Sequence, residues 1–134
     1  MKRKIKESDL DQLEALITTK SWWDSVDSLS GIIGDLALKY PNFKSKLEDW
    51  GFHSENIWLI RTAIIFQLKY KEKTDTEFLS AVIQRNSGTK EFFINKAIGW
   101  ALRQYSKTDP QWVKQFLYDN ELSPLSVREA SKYL

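Results

Sequence analysis

The chain has 134 residues, 42% of them hydrophobic and 28% charged, which suits one ordinary globular domain over residues 1–134 and argues against disordered or fibrous character. It has no cysteine, which rules out disulfides, thiolate zinc sites and a cysteine nucleophile, and its net charge of +2 is too small by itself to announce a nucleic-acid binder. No apolar run approaches the ~18 residues of a membrane span, and MKRKIKESDLDQ lacks the apolar stretch of a secretory signal, so a cytoplasmic location with no membrane partner is expected.

Helix punctuation recurs along the whole chain. Ser8 or Asp9 caps LDQLEALI, and Ser21 caps the helix that begins with WWDSVDSL. FKSKLEDW forms a short helix after Pro41. Ser54 precedes ENIWLIRTAIIFQLKY, a helix expected over 55–71, and Asp75 precedes TEFLSAVIQRN. Thr89 precedes KEFFINKAIGWALRQY. Asp109 and Ser123 each stand before a proline at the first helical position, where the missing N–H costs nothing. Stops are expected at Pro41, Gly51, Asn86 to Gly88 and Asn120. About eight helices result, and no two-residue alternation bounded by turn signals suggests a strand.

The helices repeat. Asp75, Phe78 and Leu79 correspond to Asp109, Trp112 and Val113 at a spacing of 34, and Ala63, Ile64 and Leu68 to Ala97, Ile98 and Leu102 at the same spacing. A helix pair recurring at this period is the pattern of a helical repeat protein, in which each pair buries its apolar face on its neighbours. The expected fold is therefore all-α, with stacked antiparallel pairs. A compact bundle without true repeats is the alternative. The helix over 55–71 carries Ile57, Ile60, Ile64 and Leu68 on one side and Leu59 and Phe66 on the other, so it must be sandwiched.

Charge is uneven along the chain. Residues 7–60 hold ten acids against four bases, whereas residues 61–107 hold nine bases against four acids, enough to focus a positive field on one surface. Three features do not reduce easily to packing. At about 100 degrees per residue, Trp23, Asp27, Gly31 and Gly34 share a helix face distinct from the stripe of Trp22, Val26, Leu29, Ile33 and Leu36. An indole and a carboxylate one turn apart above open backbone suit close approach by a ligand; tight helix packing would use the glycines equally well. Arg61 lies in an apolar helix and needs a carboxylate or a phosphate, Asp27 being the first candidate partner. Lys96, Gly99, Trp100 and Arg103 make a basic stripe with an aromatic ring, as a DNA groove requires, although Trp100 also lies near Phe93 and Ala97. His53, the one histidine, sits in an expected loop, which leaves no histidine-based metal cluster or triad and no need for a cofactor.

Thr19 to Asp27 (TKSWWDSVD), Trp58 to Ile64 (WLIRTAI) and Phe92 to Arg103 (FFINKAIGWALR) together resemble the AlkD-type DNA alkylation repair proteins, which are HEAT-like-repeat DNA glycosylases. The three motifs stand in the family's order with similar separations. The resemblance implies a HEAT-like α-α superhelix, with Asp27, Trp23, Trp100 and Arg61 as the catalytic group. Lys96, Arg103, Lys69 and Lys20 are the DNA-binding candidates. The implied partner is duplex DNA containing alkylated purines. N3- or N7-alkylated purines are cationic leaving groups, so cleavage needs stabilisation of an oxocarbenium-like sugar rather than a strong general acid. Asp27 supplies that charge and orients water in this scheme, the rings of Trp23 and Trp100 hold the sugar, and Arg61 holds a phosphate or positions Asp27. Family members are usually longer, and this chain resembles their C-terminal part. It is therefore expected to lack their N-terminal helices, which leaves room for self-association, a complementing N-terminal segment, or a non-catalytic module that binds DNA or protein.

Overall fold

The computed structural model describes residues 23–40 and 42–134, with side chains from residue 30 onward except at position 41. Among the described residues there are seven α-helices, in order α1 (Trp23–Lys39), α2 (Phe43–Phe52), α3 (Ile57–Ile65), α4 (Thr76–Asn86), α5 (Phe92–Ser106), α6 (Pro110–Asp119) and α7 (Pro124–Ala130). Short 3-10 turns occupy Lys71–Lys73 and Ser131–Tyr133, and there is no strand among the described residues. The expected first helix, LDQLEALI with its cap at Ser8 or Asp9, lies outside the described residues, as do Ser21 and Lys20.

Local chemistry fixes most of the helix starts. The Asp75 carboxylate accepts from the Phe78 N–H at 3.1 Å, and Asp109 accepts from the Trp112 N–H at 3.1 Å, so two repeats are capped identically at a spacing of 34 residues. Ser123 caps α7 through the Ser126 N–H. The starts expected at Ser54 and Thr89 each fall two residues later. Ser54 Oγ accepts from the Asn56 N–H at 3.0 Å and Thr89 Oγ1 from the Glu91 N–H at 3.1 Å, so each hydroxyl shapes the turn that leads into its helix. Asn56 then does the capping, its side-chain oxygen accepting from the Trp58 and Leu59 N–H groups.

Two expected boundaries are corrected. The helix assigned to 55–71 ends at Ile65, where Phe66 to Lys69 form turns. The cause is tertiary: buried Gln67 accepts from the Asp75 N–H at 2.6 Å and donates to the Asp75 carbonyl at 3.4 Å, folding the chain back onto the cap of α4. Gly51 does not stop α2, which runs to Phe52. A Cβ at Gly51 would lie 2.7 Å from Val82 Cγ2 and 3.2 Å from Ala63 Cβ, so glycine serves close packing rather than termination.

The helices stack in two layers. α1, α3, α5 and α7 lie in sequence side by side, while α2 packs on α3 and α4, and α6 packs on α5. The repeat spacing read from the sequence is thus realised in space. Ala63, Ile64, Ala97, Ile98 and Leu102 are buried in the layer of α3 and α5, and Leu79 and Val113 are buried on α4 and α6. α3 is sandwiched as its all-round apolar pattern requires, with every residue from Leu59 to Ile65 buried. Fully buried Trp50, Leu47 and Ile33 tie the first helices to this core.

The α4 cap also predicts how stability depends on pH. Burial pushes the Asp75 carboxyl up, but hydrogen bonds from the Phe78 and Glu77 N–H groups and the Lys44 ammonium outweigh it, leaving the group below its ordinary value of 3.8. A depressed folded pKa contributes stability that is present above the unfolded value and is lost as pH falls through the folded one. Tyr70 behaves in the opposite sense, since burial first and the Asp35 charge second raise it from 10.0 to about 12. Its contribution is present below pH 10.0 and is lost as pH rises toward about 12. Urea melts across pH should show both limbs, and Tyr70→Phe should flatten the alkaline limb only; an unchanged alkaline limb in that variant contradicts the assignment.

Candidate functional site

Arg61 and Trp100 meet across the α3–α5 contact. Arg61 projects from the middle of α3 and is only 3% exposed, so its charge needs compensation. Its guanidinium donates to the Phe93 carbonyl oxygen at 2.7 Å and lies 5.7 Å from the centre of the Trp100 ring, a cation–π distance. Phe93 is held in turn by Trp58, with ring centres 5.0 Å apart. The sequence required a partner for Arg61. Its partners include a main-chain oxygen and the Trp100 π-face. The guanidinium is thus enclosed by α3 and α5 and lies against the Trp100 indole.

Trp100 opens on a cleft of about 200 Å³ between α1, the turn after α3, and α5. Ser30, Gly31, Gly34, Asp35 and Lys69 also line it, with Ile65, Phe66 and Leu68 as its apolar wall. The two glycines do different work. A Cβ at Gly34 would collide with the Phe66 carbonyl oxygen, and the Tyr70 hydroxyl donates to the Gly34 carbonyl, so this glycine lets α1 lie against the turn after α3. A Cβ at Gly31 would meet nothing within 4 Å. Only Gly31 therefore leaves backbone open to the cleft. Alanine at Gly34 should destabilise the fold by about 1–3 kcal/mol through overpacking against main chain. Alanine at Gly31 should stabilise it by about 1 kcal/mol through helix propensity. Urea unfolding of the two variants checks the opposite signs.

Positions 23 and 27 lie on the α1 backbone in register with Gly31 and Gly34, but the side chains of Trp23 and Asp27 lie outside the described residues. The basic stripe divides. A Cβ at Gly99 would meet Glu129 and Ser126 of α7, Arg103 pairs with Glu129 at 3.2 Å, and Lys96 approaches the same carboxylate at 3.8 Å. Lys96 and Arg103 are thus engaged by α7, while Trp100 turns toward α3. Sequence spacing placed all four on one face and could not reveal Glu129, which reaches them from 26 residues beyond Arg103. Lys69 is exposed at the cleft. Among the described residues no helix is long and apolar enough to cross a membrane.

The model of the family described as DNA alkylation repair enzyme matches residues 1–134. The chain belongs to the DNA alkylation repair enzyme family. Among solved structures, it is similar to a protein described as a predicted DNA alkylation repair enzyme from Enterococcus faecalis, with 41% identity and a TM-score of 0.89. That likeness covers 97% of this chain and 61% of the Enterococcus chain, so this chain spans less than two thirds of that relative's length. No curated protein matches the chain.

Proposed function

We propose that this DNA alkylation repair family member is a glycosylase-type domain that excises N3- or N7-alkylated purines from duplex DNA in the cytoplasm. The observation that carries the reading is Trp100, held by the buried Arg61 at the edge of a cleft whose opposite wall is the open backbone of α1 at Gly31. On the same α1 face, one and two turns toward the N-terminus, stand positions 27 and 23. An electron-rich indole face beside a carboxylate suits a sugar that becomes cationic as the bond to an alkylated base breaks. Trp23 and Trp100 hold the deoxyribose, and Asp27 stabilises the developing charge and orients water. The damaged base is already a good leaving group, which leaves histidine without a role. Arg61 acts as the positioning residue for Trp100, and Lys69 holds a phosphate at the cleft.

The test is base release from methylated duplex DNA, measured with the wild-type chain and with Asp27→Asn. Loss of release in the variant supports the role of Asp27; equal release removes it from the mechanism. A second reading rests on the exposed Lys69 at the cleft, which serves binding as well as excision: a module that binds DNA or a protein partner without cutting the glycosidic bond. Salt-sensitive duplex binding without base release would select the DNA-binding form of that reading.

A further inference from the structure

A second cavity, of about 340 Å³, lies on the other side of the turn that follows α3. Leu68 lines both spaces, so this cavity adjoins the cleft at Trp100 through a single side chain. Its floor is apolar, from Ile64, Leu79 and Ala101. Lys71 and Lys107 stand at the mouth, with Gln104, Tyr105 and Thr108 as neutral polar groups. Gln67 and Thr74 also border the cavity, but the Gln67 amide is engaged by Asp75 and the Thr74 hydroxyl by the Lys71 carbonyl. Both lysines are exposed and have no carboxylate partner among the described residues. The Lys107 ammonium lies 5.0 Å from the centre of the Tyr133 ring, a contact that steadies the side chain without supplying an acceptor oxygen. The nearby Asp109 carboxylate is occupied by the Trp112 N–H as the cap of α6. The Asp109 charge reaches Tyr105, where it adds to burial in raising the hydroxyl's pKa. Two lysines beside amide and hydroxyl donors outnumber that single acid and form a receptor for a phosphate oxygen.

The backbone adds an independent observation. Lys71 has φ of 52, the sole non-glycine with positive φ among the described residues. This conformation favours glycine, so a lysine is held there at a conformational cost. Thr74 fixes the turn by donating its hydroxyl to the Lys71 carbonyl at 2.7 Å. A glycine would suit the fold better at this point. A cation at the cavity mouth is what the lysine supplies instead.

We infer that the cavity between Lys71 and Lys107 is a phosphate site that grips the backbone of duplex DNA next to the cleft at Trp100. The inference rests on the proposed DNA substrate but not on base excision. Lys69 in the cleft and Lys71 at the cavity stand two residues apart on the same turn, so a strand lying over Leu68 passes from one lysine to the other.

The test is the salt dependence of binding to undamaged duplex DNA. Each phosphate contact adds about −0.9 to the slope of log affinity against log salt. Lys71→Gln with Lys107→Gln should therefore flatten the slope by about 2, so that over a fourfold rise in salt the wild type loses about 12-fold more affinity than the double variant. Lys114→Gln, on exposed α6, should leave the slope unchanged. Lys71→Gly separates folding from binding, because it should raise the melting temperature while flattening the slope by about 1. An unchanged slope in the double variant overturns the inference, as does a wild type with no salt-sensitive duplex affinity. Inorganic phosphate is the second probe. If it shifts the amide signals of Lys71 and Thr108 while the duplex slope stays fixed, the assignment to DNA is overturned in favour of a free phosphate ion. Flattened slopes without base release sink the excision reading and leave this one standing.

Discussion

Asp27→Asn is expected to slow release of 7-methylguanine from methylated duplex by about 30- to 1000-fold, corresponding to about 2–4 kcal/mol of transition-state stabilisation. The size follows from the kind of charge involved. An amide keeps the shape of the carboxylate and its capacity to accept a hydrogen bond, but it removes the negative charge that opposes the developing cation. Where a preorganised group faces charge that appears only in the transition state, its loss falls on the chemical step rather than on binding. Single-turnover rates at saturating protein isolate that step. A fall in affinity with an unchanged single-turnover rate would reassign Asp27 to DNA binding.

Arg61→Ala is expected to destabilise the fold by about 2–4 kcal/mol and to slow base release as well. A hydrogen bond from a charged donor is worth roughly 1.5–3 kcal/mol, and a desolvated cation–π contact about 2 kcal/mol, although the two are not strictly additive. Both are present here, in the 2.7 Å bond to the Phe93 carbonyl and the 5.7 Å approach to Trp100. Arg61→Lys keeps the charge but loses the planar fork that bonds in one direction while stacking in another. It should therefore regain part of the stability and little of the Trp100 order, read from the near-ultraviolet dichroism of the tryptophans. A variant Arg61→Ala with wild-type stability and dichroism would show that the guanidinium does not hold the indole.

What could be read in the sequence was what its own neighbours decide. Asp75, Asp109 and Ser123 were recognisable as caps because each hydrogen bond closes within three residues of the capping side chain. The 34-residue spacing of the paired positions revealed the repeat, since stacked pairs impose the same burial on equivalent residues. Ser54 and Thr89 were misplaced by two residues because a hydroxyl that leads into a helix has the same local signature as one that caps it. The early end of α3 could not be read locally, for it depends on the Gln67 clamp on Asp75 and on the approach of α1 at Gly34.

The site divides along the same line. An arginine in an apolar helix demanded compensation, and that need was legible at Arg61. The Phe93 carbonyl and the Trp100 ring were not legible as partners, because the carbonyl is 32 residues away and Trp100 faces α3 by virtue of helix packing. The pairing of Lys96 and Arg103 with Glu129 was hidden for the same reason. Gly31 and Gly34 looked equivalent in the sequence. Only the approach of the Phe66 carbonyl distinguishes the packing glycine from the one that leaves the cleft wall open.

The most direct measurement is the time course of free base appearing from methylated duplex incubated with excess wild-type protein. A glycosylase at the Trp100 cleft should release N3- and N7-alkylated purines well above the rate of spontaneous depurination, leaving abasic sites in the strand. Release at the spontaneous rate, with the protein folded and bound to the duplex, would contradict it.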